Sequence, residues 1–428
     1  MLSNIKELNW FECEGNRINT IDVSGCESLY YCNCANNEIR LLNCKSCPLL
    51  SAINCENNQI ETFECKNCPL LSDLFCDNNC IERLDLSGCN SLWNLYCSQN
   101  RLKQIVLTDC KNLRKIGCSH NLLTELDLSN CPNITSLYCV DNQLVTIDIS
   151  NHMQLKTLFC RENPLISIYA FNCPNLGGEM NNFSESIITE TLEVLDLSDC
   201  SSIQELTIKS NSLKYVSIKN CFNLEVFALS GTGEQNMHGM VSGGVSILPI
   251  NFEGCHSLKG IGLSFVIVDS INFSDIQSLQ EISCTSCNIN NISVNNCPSL
   301  KFLNCSCSKI KGLKINKSGN LLSLDCHDNQ IESIDLSDCV ALQYLECTNN
   351  LLTHLDVSPC GMLKVLYCRN NHIIQKITIE DSFSFAYDIL YDYEPYYNAE
   401  QQEWGVKWKK NAYGWYYEGE PEKGYHGR

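Results

Sequence analysis

The stretch Ile116–Ser136 reads IGCSHNLLTELDLSNCPNITS, and stepping by 21 residues from its Cys118 reaches Cys13, Cys34, Cys55, Cys76, Cys97, Cys139 and Cys160. Three residues past each of these cysteines stands an asparagine: Asn16, Asn37, Asn58, Asn79, Asn100, Asn121, Asn142 or Asn163. Within the stretch, the apolar residues Ile116, Cys118, Leu123, Leu126, Leu128, Cys131 and Ile134 fall into pairs of the form L-x-L or L-x-C. Alternation at period two marks a short strand with one buried face. The unit therefore divides into a ten-residue half, L-x-x-L-x-C-x-x-N-x, and an eleven-residue half, L-x-x-L-D-L-S-x-C-x-x, with one strand in each.

A unit this short cannot bury its apolar edge alone, so neighbouring units must stack into a solenoid. The motif resembles that of leucine-rich repeat proteins, most closely the bacterial class with short nested repeats. The resemblance implies a leucine-rich repeat solenoid, parallel and β-rich, with two short strands per coil and little helix. It covers residues 1–379 in about 17 coils, and it implies protein binding as the function class. The regular spacing is interrupted twice. Six extra residues fall around Asn181–Ser186, before a coil centred on Ile187, and thirteen fall in the glycine-rich stretch Gly231–Gly244. The spacing of 21 then resumes from Leu263 through Cys284, Cys305, Cys326, Cys347 and Cys368.

Residues 380–428 lack cysteine and are crowded with aromatics. Trp404, Val406 and Trp408, a turn near Asn411–Gly414, and then Trp415, Tyr416 and Tyr417 predict a β hairpin in a small C-terminal cap. The stretch Val406–Glu420, VKWKKNAYGWYYEGE, also resembles the aromatic cell-wall-binding repeats of Gram-positive surface proteins. That resemblance implies a second reading, a bacterial surface or wall-associated adhesin.

The chain carries 30 basic and 49 acidic residues, a net charge of −19, with no basic run. Nucleic acid is not the expected partner, since phosphate binding needs basic patches, and a basic or neutral protein partner fits the charge. No stretch has the ~18 apolar residues of a membrane helix. Leu2–Ile5 fit the second half of a unit, so the chain opens in mid-coil and an N-terminal cap is expected upstream. Hydrolase elbow, phosphate loop and H-E-x-x-H are absent, so no enzyme is expected and no cofactor.

Of the 32 cysteines, thirteen occupy the first-half position and thirteen the second-half position. As small, readily buried side chains they suit the bends of a short coil. Stacked in register, their Cβ atoms would lie ~4.8 Å apart, beyond the usual disulfide separation, so free thiols are expected. Such a count of free thiols suits a reducing cytoplasm or the surface of an anaerobic bacterium. Cys44-x-x-Cys47 and Cys65-x-x-Cys68 have the spacing of a four-thiolate zinc site, which gives a third reading as a metal–thiolate protein. The repeat itself also produces that spacing. The asparagine column is expected to pair with backbone groups freed at the bend.

The residue before each first-half cysteine points out of the coil, and this column reads Glu12, Asn33, Asn54, Phe75, Tyr96, Gly117, Tyr138, Phe159. The aromatics Phe75, Tyr96, Tyr138 and Phe159, with Trp93 and His120 near their edge, form the candidate binding site on the concave strand face. The same column in the second block is polar: Ser283, Asn304, Asp325, Glu346, Tyr367. A further column, Asp22, Asp85, Asp127, Asp148, Asp196, Asp335 and Asp356, is expected to be a solvated acidic face.

Overall fold

A computed structural model describes residues 2–65, 68–178, 191–231, 233–235, 241–372, 408–411 and 414–417. The chain divides into two compact units, Met1–Thr378 and Ile379–Arg428. The first is a parallel β-solenoid with two strands per coil, as Asn94–Tyr96 and Gln104–Val106 illustrate, and with no helix among the described residues. This is the winding that the resemblance to leucine-rich repeat proteins implies.

The first strands of the coils make two eight-stranded sheets. One runs from Trp10–Glu12 to Thr157–Phe159 and the other from Glu205–Lys209 to Val365–Tyr367. Pairing follows the sequence period: Ile116 lies opposite Leu95 and Leu137. It survives both changes of spacing, since Ile168 pairs with Leu195 across the first and Leu229 with Leu263 across the second. Residues 181–186 and the coil expected at Ile187 lie outside the described residues. The glycine-rich insertion carries a short antiparallel ribbon, Gly233–Gln235 against Val241–Gly243. At its base a Cβ on Gly231 would lie 2.5 Å from the Phe265 carbonyl oxygen, and Gly244 adopts φ +114°, so both positions require glycine. The second strands form shorter sheets, interrupted at residues 125–127, where the quoted unit itself has no strand. In the second unit, Trp408–Asn411 and Gly414–Tyr417 pair as an antiparallel hairpin.

Inside the coils between the two ends the strand-centre apolar residue and the one two places on are buried, as Leu95, Ile116 and Leu137 are with Cys97, Cys118 and Cys139. In most coils the chain bends through two left-handed corners. At the first, Asn36, Asn57, Asn78, Gln99, His120, Asp141 and Glu162 have φ between +53° and +58°. At the second, Gly25, Gly88, Asn151 and Asn172 play the same part. Asparagine, aspartate and glycine tolerate this region best, which accounts for the N-N and S-G/N-C dipeptides of the repeat.

Corners free backbone groups that the strands do not pair, and the asparagine and cysteine columns take them up. Asn121 donates from Nδ2 to the carbonyls of Cys97, Cys118 and Ser119 at 3.0, 3.0 and 3.1 Å, and its Oδ1 accepts the Leu102 amide at 2.9 Å. One amide thus ties its own bend to the preceding coil. At the other corner the thiols do the tying. Cys26, Cys47, Cys173 and Cys221 donate to the carbonyls of Leu2, Val23, Ile149 and Leu197 at 3.1, 3.2, 3.0 and 3.2 Å, each 24 residues back. His152 takes the cysteine position of its coil and sets Nε2 3.3 Å from the Leu128 carbonyl, again 24 residues back. These four corner sulfurs point at carbonyls, and all 32 cysteines are free. No buried side-chain nitrogen or oxygen among the described residues lacks a partner.

The aspartate column has a local structural role that goes beyond a solvated face. Each aspartate accepts from the serine two residues on: Ser129 N donates to Asp127 Oδ1 at 2.9 Å, and Ser358 donates to Asp356 Oδ1 from N at 2.9 Å and from Oγ at 2.6 Å. These bonds hold Asp127, Asp335 and Asp356 below the ordinary aspartate range.

Two outcomes are expected. Asn121→Ala should lower stability by about 3 kcal/mol in denaturant unfolding, because each buried backbone group left without a partner costs ~1–3 kcal/mol. Cys173→Ala should cost roughly 1–2 kcal/mol, a thiol being a weaker donor. For the aspartates the folded-state pKa is depressed. Their contribution is therefore full above the usual value near 4 and is lost as pH falls through the depressed values. A melting-temperature series extended below about pH 4 should show the loss of this contribution as a fall on the acid side. In Ser129→Ala/Ser337→Ala/Ser358→Ala the acid-side fall should be shallower.

Candidate functional site

A strand of three residues with a buried centre presents its first and third residues on the outer face. On the first eight-stranded sheet the third position is the column Glu12, Asn33, Asn54, Phe75, Tyr96, Gly117, Tyr138, Phe159, each residue paired in register with the next. Phe75 and Tyr96 stack with centroids 5.4 Å apart and planes 7° off parallel, and Tyr138 and Phe159 stack at 5.4 Å and 10°. The rings are half-buried apart from Tyr138, which is exposed. Between the pairs, a Cβ on Gly117 would lie 3.1 Å from Tyr96 Cδ1, so the Tyr96 ring leans over the glycine.

Trp93 lies one residue ahead of the strand Asn94–Tyr96 and is 46% exposed. The Arg114 guanidinium, one coil on, sits over its ring at 4.4 Å from the centroid. His120 is set apart from this column. It occupies a left-handed corner, and its Nδ1 lies 2.9 Å from Asp141 Oδ2 at the same corner of the next coil. The first position of the same strands adds an aromatic pair that a single-column reading of the sequence overlooks: Trp10 stacks on Tyr31 at 4.1 Å. The signal for it is the alternation within the strand, which sends the residue two places ahead of the column to the same face.

One flank of the face is acidic. The residue after each first-half cysteine includes Glu14, Glu56 and Asp77. Partial burial pushes the Glu56 and Asp77 carboxyls up, and their mutual repulsion adds to the rise at Glu56. Glu14 accepts from Asn33 and Asn36, both at 3.0 Å.

The four thiols with zinc-site spacing occupy different rows. Cys44 and Cys65 replace the core leucine of the second strand. Their hydrogen bonds with Cys32 and Cys89 respectively, together with burial, drive both thiols far above the ordinary value. Cys47 and Cys68 lie at the following corner and donate backward to the carbonyls of Val23 and Cys44 at 3.2 and 3.6 Å. Burial pushes Cys47 up to about 11 and Cys68 up to about 12. The described residues hold one group of three candidate metal ligands whose atoms lie within 4.8 Å of one another, and it contains none of these four. It is Cys307, His327 and Asp328.

Only Cys13, Cys80, Cys307 and Cys368 are incompletely buried. Alkylation of the native chain at neutral pH should therefore modify at most four of the 32 thiols, with the remainder reacting only in denaturant. Mass spectrometry of the modified peptides checks this.

No protein-family model matches the chain, and no curated protein is similar to it in sequence. Among solved structures, the functional domain of InlJ from Listeria monocytogenes, which includes a cysteine ladder, is similar at 22% identity over 86% of this chain and 64% of that one, with a TM-score of 0.38. YopM from Yersinia enterocolitica matches at 20% identity over 84% of this chain and 82% of its own, with a TM-score of 0.35. A leucine-rich repeat protein of Leptospira interrogans matches at 16% identity, 82% and 86% coverage and a TM-score of 0.29. The chain thus spans less than two thirds of the InlJ domain.

Proposed function

We propose that this chain is a non-catalytic scaffold that binds a protein partner across the outer face of its first sheet. The observation that carries the reading is the in-register column of rings. Phe75 and Tyr96, and Tyr138 and Phe159, are partly desolvated by mutual stacking, with Phe75, Tyr96 and Phe159 half-buried and Tyr138 exposed. Aromatics ordered in this way lose little side-chain freedom on association, and that is the composition of interface hot spots. Trp93, held by Arg114, extends the apolar surface at the turn, and Trp10 with Tyr31 extends it toward the first coil.

The acidic flank of Glu14, Glu56 and Asp77 gives the partner a sign. A segment presenting apolar side chains beside lysine or arginine would meet the rings and the carboxylates together. His120, paired with Asp141 at the corner, is assigned to the rim of this surface.

The test is capture of a partner by Tyr96→Ala/Tyr138→Ala. Affinity should fall at least 100-fold, since two hot-spot truncations cost ~2 kcal/mol or more each, while the melting temperature changes by no more than a few degrees. Unaltered capture by the folded double variant would refute the ring column as the site. Glu56→Gln/Asp77→Asn should mainly slow association and flatten its salt dependence.

A further inference from the structure

The geometry points to a zinc-class metal site formed by Cys307, His327 and Asp328, at a corner of the second sheet. Cys307 Sγ lies 3.7 Å from His327 Nε2 and 3.7 Å from Asp328 Oδ2, and the last two atoms are 3.8 Å apart. The centre of that nearly equilateral triangle is about 2.2 Å from each atom. Zinc takes nitrogen and oxygen ligands at ~2.0–2.2 Å and thiolate at ~2.3 Å. A cation slightly out of the ligand plane would satisfy all three without moving a coil.

Three features of the surroundings fit a cation better than a chance meeting of polar groups. First, the side chains come from adjacent coils in fixed register. Cys307 and Asp328 stand one repeat apart at the same left-handed corner, with φ +55° and +54°. Second, His327 is oriented from behind. Its Nδ1 lies 2.6 Å from Asp325 Oδ1, and Asp325 is held in the outer column of the sheet between Asn304 and Glu346. A carboxylate on the far nitrogen fixes the tautomer that presents Nε2 to a metal. Third, Asp328 uses its two oxygens differently. Oδ1 accepts from Asn349 Nδ2, leaving Oδ2 to face the cysteine and histidine.

The site also lies where the corner ladder changes its chemistry. At this position elsewhere, an asparagine reaches back one coil, as Asn57 does to Asn36 and Asn370 to Asn349. Asp328 has no amide to send back to Cys307; the thiol donates to its Oδ2 at 3.7 Å instead, and a cation bridging the two would replace that thiol contact and fasten the same two coils. Thiolate with imidazole and carboxylate is a borderline-soft donor set, which selects zinc or cobalt over magnesium or calcium. The His327 side chain is 29% exposed and that of Asp328 37%. The fourth position is therefore within reach of water or of a donor from a bound partner.

Cobalt(II) titrated into the full, chelator-treated chain should bind at one equivalent, with the visible bands of a tetrahedral ion and a thiolate-to-cobalt charge-transfer band, and zinc should displace it. Cys307→Ser should remove the charge-transfer band, and His327→Gln and Asp328→Asn should each weaken binding at least tenfold. Asp325→Asn removes no ligand and should weaken it by about 10–100-fold. Independently of any substitution, zinc should protect the Cys307 peptide of the unmodified chain from alkylation while leaving Cys80 reactive. Absence of cobalt binding, a charge-transfer band that persists in Cys307→Ser, or alkylation of Cys307 unchanged by zinc would overturn the site and leave an ion-paired histidine in its place.

Discussion

The solenoid depends on what happens to the backbone at its bends. Strands satisfy their own amides and carbonyls by stacking, but every corner frees groups that face the interior. A buried group without a partner costs ~1–3 kcal/mol, and each coil has two corners, so unpaired bends would outweigh the marginal stability of any domain. The asparagine resolves one corner with three donor contacts and one acceptor contact, as Asn121 shows. The cysteine resolves the other with a single thiol aimed 24 residues back, as Cys173 shows. The exceptions support the rule, because they keep the donor and change the chemistry. His152 brings a ring nitrogen to the Leu128 carbonyl, and Ser308, standing in the asparagine column, donates to the Cys284 carbonyl at 2.6 Å.

The period, the strand pairs and the buried columns are legible in residue spacing because a solenoid converts sequence distance directly into stacking. The direction of a side chain within a corner is not. Spacing places cysteine at the bends and its volume suits it to them, but its donor role depends on where Sγ points, which spacing does not encode. Stacking sets Asp127 and Asp148 one coil apart, with no hydrogen bond for either along that direction to read from the spacing. Their partners lie along the chain, in the D-x-S of a single coil. The C-x-x-C pairs misdirect for a related reason: Cys44 and Cys47 are close in sequence but belong to a core row and a corner row. Conversely, Cys307 and His327 are distant in sequence and adjacent in space. Their signal in the sequence is an off-register cysteine followed, one repeat further on, by a histidine and an acid.

Because the two ladders fix the coils from within, the outer positions of the strands are free to vary, and the two sheets use that freedom differently. The first gathers rings and an acidic flank. The second carries Asn304, Asp325 and Glu346 in the same column, with Tyr344 and Tyr367 at 6.0 Å edge to face beside them. One register thus sets an aromatic column on the first sheet and a polar column on the second.

Stacking alone does not account for the first face. Strands ~4.8 Å apart force any in-register column of rings into offset contact, and the 5.4 Å centroid separations are what that spacing produces. Such pairs would stabilise the sheet wherever they occurred. Stability does not require Trp93, Tyr138 and Trp10 to keep 46%, 38% and 54% of their surface in water on the same side of the molecule as the Glu14, Glu56 and Asp77 flank. Exposed aromatic area beside organised charge adds nothing to the fold of an isolated chain, and this is what supports the proposal that the face serves binding.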